Sequence, residues 1–294
     1  MYLKNKSYLG ILFIAPALIY LIFFYIYPIF NGMLVSLFKT GSGVIARESF
    51  EGIGNYIRIF QDARGVKSIY ITFIYTVGTV VLNVLIGIIL ALCLNEVIRF
   101  RKFFRMILIL PWTVSGVVAA LTWRWLFSSQ FGLINDILMR IGIIDEGINW
   151  LSNTNLALFS VIIATVWREF PFVMIMALAS LQTVKPEQYD SAAIDGVNEW
   201  QKFWYITWPN INVIVMPVIL LDFIWMFQYF DLISTMTGGG PAQSTETMPI
   251  YIYKAGFKYF QFGYSSSIGV FLFAIVFIVS VFYMKIYSAE SQKK

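Results

Sequence analysis

Six long apolar runs dominate the chain, covering about residues 8–31, 69–94, 106–127, 156–180, 206–232 and 264–286, with polar or charged stretches between them. Each run has the roughly 20 residues that a helix needs to cross a hydrocarbon core. In lipid every backbone polar group must be satisfied within a helix or a closed barrel, and none of the runs alternates as a barrel strand does. The pattern therefore predicts an all-α, polytopic membrane protein with about six transmembrane helices, forming one domain over residues 1–294.

Composition sharpens this picture. The chain is 59% hydrophobic, 18% aromatic and only 13% charged, against roughly 25% charged in a soluble domain. It has no histidine and one cysteine, Cys93, which removes Ser-His-Asp triads, histidine-ligated zinc and structural disulfides. Cys93 lies in an apolar run and reads as a small packed side chain. The first run, after Lys4 and Lys6, is too long for a signal-peptide core and is read as a retained span.

Charge suggests orientation. With a cytoplasmic N-terminus, the inner segments hold Lys4, Lys6, Arg99, Arg101, Lys102, Arg105, Lys185, Lys202, Lys285, Lys293 and Lys294. The outer ones hold Lys39, Arg47, Arg58, Arg64, Lys67, Arg140, Lys254 and Lys258. The inner segments are shorter and so denser in positive charge, which predicts both termini in the cytoplasm. The first outer loop contains "FEGIGNYIRIFQD", with Phe50, Ile53, Tyr56, Ile57 and Phe60 at near-helical spacing. It reads either as a short amphipathic helix on the outer surface or the bundle, or as an ordered loop with buried aromatics.

Ionisable groups inside spans are costly and point to a pathway, a cavity or a structural pair. Four occur: Arg124, Arg168, Glu169 and Asp222. Arg124, near the outer end of span three, reads as snorkelling. Arg168 and Glu169 precede Pro171, which is expected to kink the helix and free carbonyls. Thr165, Glu169 and Phe172 fall on one helical face, as do Asp222, Met226 and Tyr229. Polar groups beside aromatic rings suit a sugar. Buried ion pairing among Arg168, Glu169 and Asp222 explains the charges equally well. Asn83, Gln228 and Asp231 are weaker candidates, since a lone polar residue often only bridges helices.

The insert "DSAAIDGVNEWQKFWYITWP", in the loop at 184–205, is polar and interrupted by a glycine. Pro186 suits a first helical turn, and Glu187 and Asp190 favour its positive end. Asp195-Gly196 reads as a stop, and Asn198 with Gln201 as a capping box leading into Trp200, Phe203 and Trp204. The insert is expected to form two short helices bent at Gly196. On pattern alone, it is either a simple connection or a knob offered to a partner.

This string resembles the signature loop of membrane subunits of binding-protein-dependent ABC importers. The family's Glu-Ala-Ala, Gly, Ile and Leu-Pro positions fall on Asp190-Ser191-Ala192, Gly196, Ile206 and Trp208-Pro209, with Asp, Ser and Trp as the departures. "TGGGPAQSTETMPIYIYKAGF", at 237–257, and "FEGIGNYIRIF" resemble outer segments of the carbohydrate-uptake branch, the maltose and glycerol-phosphate permease type. The glycine run is not a phosphate loop, because no Lys-Ser or Lys-Thr follows it.

The resemblance implies a type I ABC importer permease fold whose cytoplasmic coupling helix sits on an ATPase. Asp190, Ala192, Asp195 and Gly196 would form that contact, with Asp190 acidic and Ala192 and Gly196 permitting close packing. Thr165, Arg168, Glu169, Phe172, Asp222, Met226 and Tyr229 would flank the translocation path. Expected partners are a second homologous permease subunit, two copies of a cytoplasmic ATPase subunit, an extracytoplasmic solute-binding protein, membrane lipid and a sugar, and no nucleic acid. No catalytic residue, metal or cofactor is expected in this chain, with ATP and Mg on the ATPase. The expected location is a bacterial or archaeal plasma membrane. Rival readings are the same architecture moving a non-sugar solute, an ion-driven secondary carrier, whose inverted halves are not evident here, and an intramembrane enzyme.

Overall fold

The computed structural model describes the backbone of residues 2–40, 47–96 and 99–291 and the side chains of residues 12–40, 49–96 and 99–287. The side chains of Lys4, Lys6, Arg47, Lys293 and Lys294, which enter the charge count above, lie outside the described residues.

Helices account for most of the described chain. In order they are α1 (Tyr2–Leu21), α2 (Tyr27–Val35), α3 (Gly54–Gln61), α4 (Ala63–Asn95), α5 (Arg101–Thr113), α6 (Gly116–Leu126) and α7 (Leu133–Arg140). Then follow α8 (Ala157–Leu181), α9 (Pro186–Ile194), α10 (Glu199–Lys202), α11 (Trp208–Phe227), α12 (Asp231–Met236), α13 (Met248–Tyr253) and α14 (Phe262–Ser291). A π turn at Ile22–Ile26 joins α1 to α2, and another at Phe203–Thr207 joins α10 to α11. A small antiparallel hairpin, β1 (Phe38–Thr40) with β2 (Arg47–Phe50), pairs Phe38 with Phe50.

Among the described residues, five helical stretches are long and apolar enough to cross a membrane: Leu12–Val35, Ala63–Asn95, Ala157–Leu181, Glu199–Met236 and Phe262–Tyr287. The expected third span, 106–127, is not one helix. It is α5 and α6, bent by 98° about Val114-Ser115. Both residues are extended, with ψ of 134° and 141°. A Ser-Gly pair just after Pro111 is one of the known causes of a sharp break. Together the pair makes the sixth candidate span. Pro171, by contrast, is accommodated inside α8, which continues through it to Leu181.

The chain forms two compact units. The first comprises residues 1–66 and 251–274. The expected outer helix is there as α3, but its apolar face is turned out: Phe50, Ile53, Ile57 and Phe60 are exposed, while Asn55 and Ile59 are buried. The Asn55 amide fixes it by donating to the Ser36 and Phe38 carbonyls at 2.9 and 3.1 Å. An exposed apolar stripe on a short helix is the surface-lying form of the two readings.

In the same unit, Asp62 accepts hydrogen bonds from the Tyr251 hydroxyl, from Tyr264 at 3.0 Å and from the Arg64 N–H at 3.0 Å. Arg58 lies 4.2 Å over the Tyr264 ring. Burial pushes the Asp62 carboxyl up, but the bonds from Tyr251, the Arg64 N–H, Tyr264 and the Gly65 N–H outweigh it and hold it below the ordinary carboxylate value. A depressed carboxylate contributes stability above its unfolded pKa of about 3.9, and that stability is lost as pH falls through the lower folded value. The protection factors of the α3 and α13 amides should therefore be flat above about pH 4 and fall only below it. Asp62→Asn should show the faster exchange at neutral pH, and unchanged protection in that variant would count against the network.

The second unit comprises residues 67–250 and 275–294. Its buried residues gather at two ends. One cluster holds Tyr75, Ala119, Phe127, Val161, Leu232 and Ile250. The other holds Ala91, Leu94, Leu178, Leu181, Val184 and Ile211, with Tyr189 and Ile206 packed against it, so the 184–205 loop marks that end. A buried stripe on α4, Ser68, Thr72, Thr76, Thr79 and Asn83, recurs every three or four residues. It continues at Gly87, where an added Cβ would lie 2.9 Å from Val173, so a glycine lets two helices approach closely. Cys93 is exposed on α4, not packed.

Candidate functional site

The loop at 184–205 follows its local signals closely. Pro186 takes the first position of α9. Gly196 has φ +70°, and the Val197 N–H closes back on the Ala192 carbonyl at 3.1 Å, a left-handed helix end. Asn198 and Gln201 form the complete capping box, at 2.8 and 3.1 Å. One expectation is corrected. The second helix is not a separate short one, because α10 runs through the π turn directly into α11. The knob is thus α9 alone, hung on the first turns of span five.

Two side-chain bonds tie it there. Tyr189 and Thr207 share a hydroxyl bond of 3.1 Å, and Asn210 donates to the Gln188 side chain at 3.0 Å. Ala192 is buried at this junction, while Asp190 and Asp195 are exposed. An added Cβ at Gly196 meets nothing within 4 Å, so the chain needs this glycine for its backbone angle, not for packing inside the subunit. A cleft of about 960 Å³ is lined by Gln188, Ser191, Ala192, Asp195, Gly196 and Tyr205, among others. Ile194, Trp200 and Tyr205, near this cleft, are all more than 70% exposed.

Two of the four intramembrane charges, Arg168 and Glu169, come together where α5 and α11 pack on α8. Arg168 pairs with Glu169, the Tyr229 hydroxyl donates to the same Glu169 oxygen at 2.8 Å, and Arg168 Nη1 reaches Tyr229 at 2.9 Å. Arg168 Nε donates at 2.9 Å to the Val114 carbonyl, which the break between α5 and α6 frees. Glu169 is buried, and its charge is neutralised by a guanidinium that also closes a helix end. The pair borders a cavity of about 450 Å³ that Trp112, Trp225, Gln228, Phe230 and Asp231 also line. Phe172 packs between Trp112 and Trp225, with ring centroids 6.0 and 4.8 Å away and the rings tilted.

Not every residue picked from the two stripes reaches this cavity. Arg168, Glu169, Met226 and Tyr229 line it, and Phe172 supports its aromatic wall. Thr165 is buried elsewhere, accepting from Tyr75 at 3.1 Å and donating to the Val161 carbonyl at 2.9 Å. Asp222 is 1% exposed and faces α4, where the Asn83 amide donates to both its oxygens at 3.3 and 3.1 Å. It joins no ion pair with Arg168. Trp112 and Trp225, the widest apolar walls, were not singled out in the sequence. Trp225 and Gln228 share a face with each other at i and i+3, one step from the face that carries Asp222 and Met226. At the opposite end, Arg124 borders a second cavity, of about 470 Å³, with Ser128, Asn149, Trp150, Thr237 and Pro241.

Several known proteins are similar to this chain. The chain is 31% identical to the trehalose/maltose transport system permease protein MalF of Thermococcus litoralis over 96% of its length and 94% of that protein. It is 34% identical to the lactose transport system permease protein LacF of Rhizobium radiobacter, over 97% and 95%. It superimposes with a TM-score of 0.84 on a chain of a bacterial ABC transporter involved in import of the polysaccharide alginate, at 21% identity and 96% coverage of both chains. The fold is that of a type I ABC importer permease, an ABC permease subunit and not an enzyme. The family model described as binding-protein-dependent transport system inner membrane component matches residues 83–289. The chain belongs to that family.

Proposed function

We propose that this permease carries a sugar or short oligosaccharide, moving it past the cavity at Trp112, Glu169 and Trp225. The carrying observation is the lining of that cavity. Flat aromatic walls suit the apolar faces of pyranose rings, and Arg168, Glu169, Gln228 and Asp231 supply donors and acceptors for hydroxyls. The sugar names of the trehalose/maltose and lactose relatives support the same substrate class.

In this reading a second permease subunit completes the path. The first span supports that partner: no residue of its most apolar window is buried within the chain. Two ATPase subunits dock from the cytoplasm, where both termini also lie, one of them gripping α9, and they hydrolyse ATP with Mg. A solute-binding protein delivers the sugar outside. Asp190, Asp195 and Gly196 face the ATPase, and movement of the knob passes to span five through the Tyr189–Thr207 and Gln188–Asn210 bonds, a rigid-body transfer.

The test is ATP hydrolysis by the complex reconstituted with its binding protein, measured against trehalose, maltose, lactose, a polyamine and a peptide. A sugar should accelerate turnover, and Trp225→Ala should lower that acceleration by about tenfold, the effect of losing roughly 1.4 kcal/mol of ring contact. Stimulation by the polyamine or peptide alone would refute the sugar assignment. Uptake that survives without ATP but collapses with an uncoupler would refute the ATP-driven mechanism.

A further inference from the structure

The basic turn that follows span two holds guanidinium groups that the fold leaves without acceptors. Arg101 Nε, Arg101 Nη2 and Arg105 Nε are buried, and among the described residues nothing accepts a hydrogen bond from them. Buried donors on a fixed cation are costly to leave unpaired. An acceptor with several oxygens, coming from outside the chain, would resolve all three.

A cavity of about 410 Å³ lies on the same helix. It is lined by Lys102, Arg105, Met106, Ile109, Leu110 and Thr113, which follow one another at i, i+3, i+4, i+7, i+8 and i+11, a single face of α5. The first turn of this face is cationic and the next two are apolar. A free inorganic anion would use the cations and waste the apolar trough, whereas a neutral lipid would use the trough and leave the cations unmatched. A molecule with an anionic head and an alkyl chain uses both.

The depth also fits. Ile109 and Leu108 pack on the buried cluster formed by Leu94, Leu181 and Ile211, so the first turn of α5 lies at the end of the bundle marked by the 184–205 loop. The long α4 helix ends close by in sequence, at Asn95, and Arg99 and Arg101 follow. Basic residues next to the end of a span occupy the headgroup layer, where anionic lipids collect.

We propose that the first three turns of α5 bind one anionic phospholipid. Arg101 and Arg105 hold the headgroup, Lys102 closes the rim, and one acyl chain lies along Met106, Ile109 and Leu110. This proposal rests on membrane insertion and is independent of which solute is carried.

The test uses the intact complex, stripped of lipid in neutral detergent and titrated with phosphatidylglycerol, with phosphatidylcholine of the same chains, or with glycerol phosphate. Bound lipid is counted by native mass spectrometry. Phosphatidylglycerol should be retained saturably and at least about tenfold better than phosphatidylcholine, and glycerol phosphate should not displace it. Arg101→Gln with Arg105→Gln should reduce retention to the phosphatidylcholine level. Should that variant not assemble, Lys102→Gln, at an exposed position, should still lower retention several-fold. Arg140→Gln, an exposed residue paired with Asp136, should change nothing. Equal retention of the two lipids, displacement by glycerol phosphate, unchanged retention in the Arg variant or in Lys102→Gln, or an equal loss in Arg140→Gln would each overturn the proposal.

Discussion

Replacing Arg168 with methionine should destabilise the bundle by about 3–5 kcal/mol, the range found when one partner of a buried ion pair is removed and the other charge stays behind. The geometry explains why the effect is large. Glu169 is 5% exposed, and without Arg168 its charge keeps only the Tyr229 hydroxyl. The Val114 carbonyl at the broken span loses its guanidinium partner in the same step. Removing the charge of both residues, as in Arg168→Met with Glu169→Leu, should recover much of the loss, because the destabilising element is the stranded carboxylate. Thermal unfolding of the purified chain in detergent reads both variants. A single variant as stable as the native chain, or a double variant worse than the single, would show that the pair does not hold α5, α8 and α11 together.

A comparable loss, now of transport, is expected at Gly196. Gly196→Arg should reduce ATP-driven uptake to background while the chain still inserts and assembles. The change adds left-handed strain of about 1–2 kcal/mol, too little to unfold a membrane bundle, and projects a long cation where an added Cβ meets open space. Gly196→Asn separates strain from obstruction, since asparagine tolerates the left-handed region and remains short. It should retain most uptake. If both variants transport normally, α9 is not the docking element. If both fail equally, backbone angle and not the exposed face is what matters. Copurification of the ATPase subunit with each variant reports the same distinction directly.

Local features of this protein were legible from the sequence, and long-range ones were not. The helix stop at Gly196 and the Asn198–Gln201 box depend on neighbours three or four residues apart, and both are present as expected. The six apolar runs located the membrane segments because length and hydropathy set that property alone. The break at Val114-Ser115 was hidden by averaging over 106–127, although Pro111 and Ser115-Gly116 carried its signal. Of the candidate path, Arg168, Glu169, Met226 and Tyr229 line the cavity, whereas Thr165 and Asp222 fall out of phase with it. On α11 the buried stripe is Ile211, Val215, Val218, Asp222 and Met226, so the face with the carboxylate is a packing face, and the cavity opens on Trp225 and Gln228. Periodicity finds such stripes but does not say which one a neighbour will cover. Thr165 shows why: its partner Tyr75 is 90 residues away in the chain.

The π turn at Phe203–Thr207 has a consequence for how the knob is aimed. Such a turn inserts one residue into an otherwise α-helical path, and one residue is a rotation of about 100°. The five residues therefore set a fixed angular offset between α10, which leads out of the 184–205 loop, and the face of α11 that carries Trp225. Under the proposed coupling by α9, removing one residue of this turn would re-aim Trp225 relative to the knob without changing any side chain of the cavity.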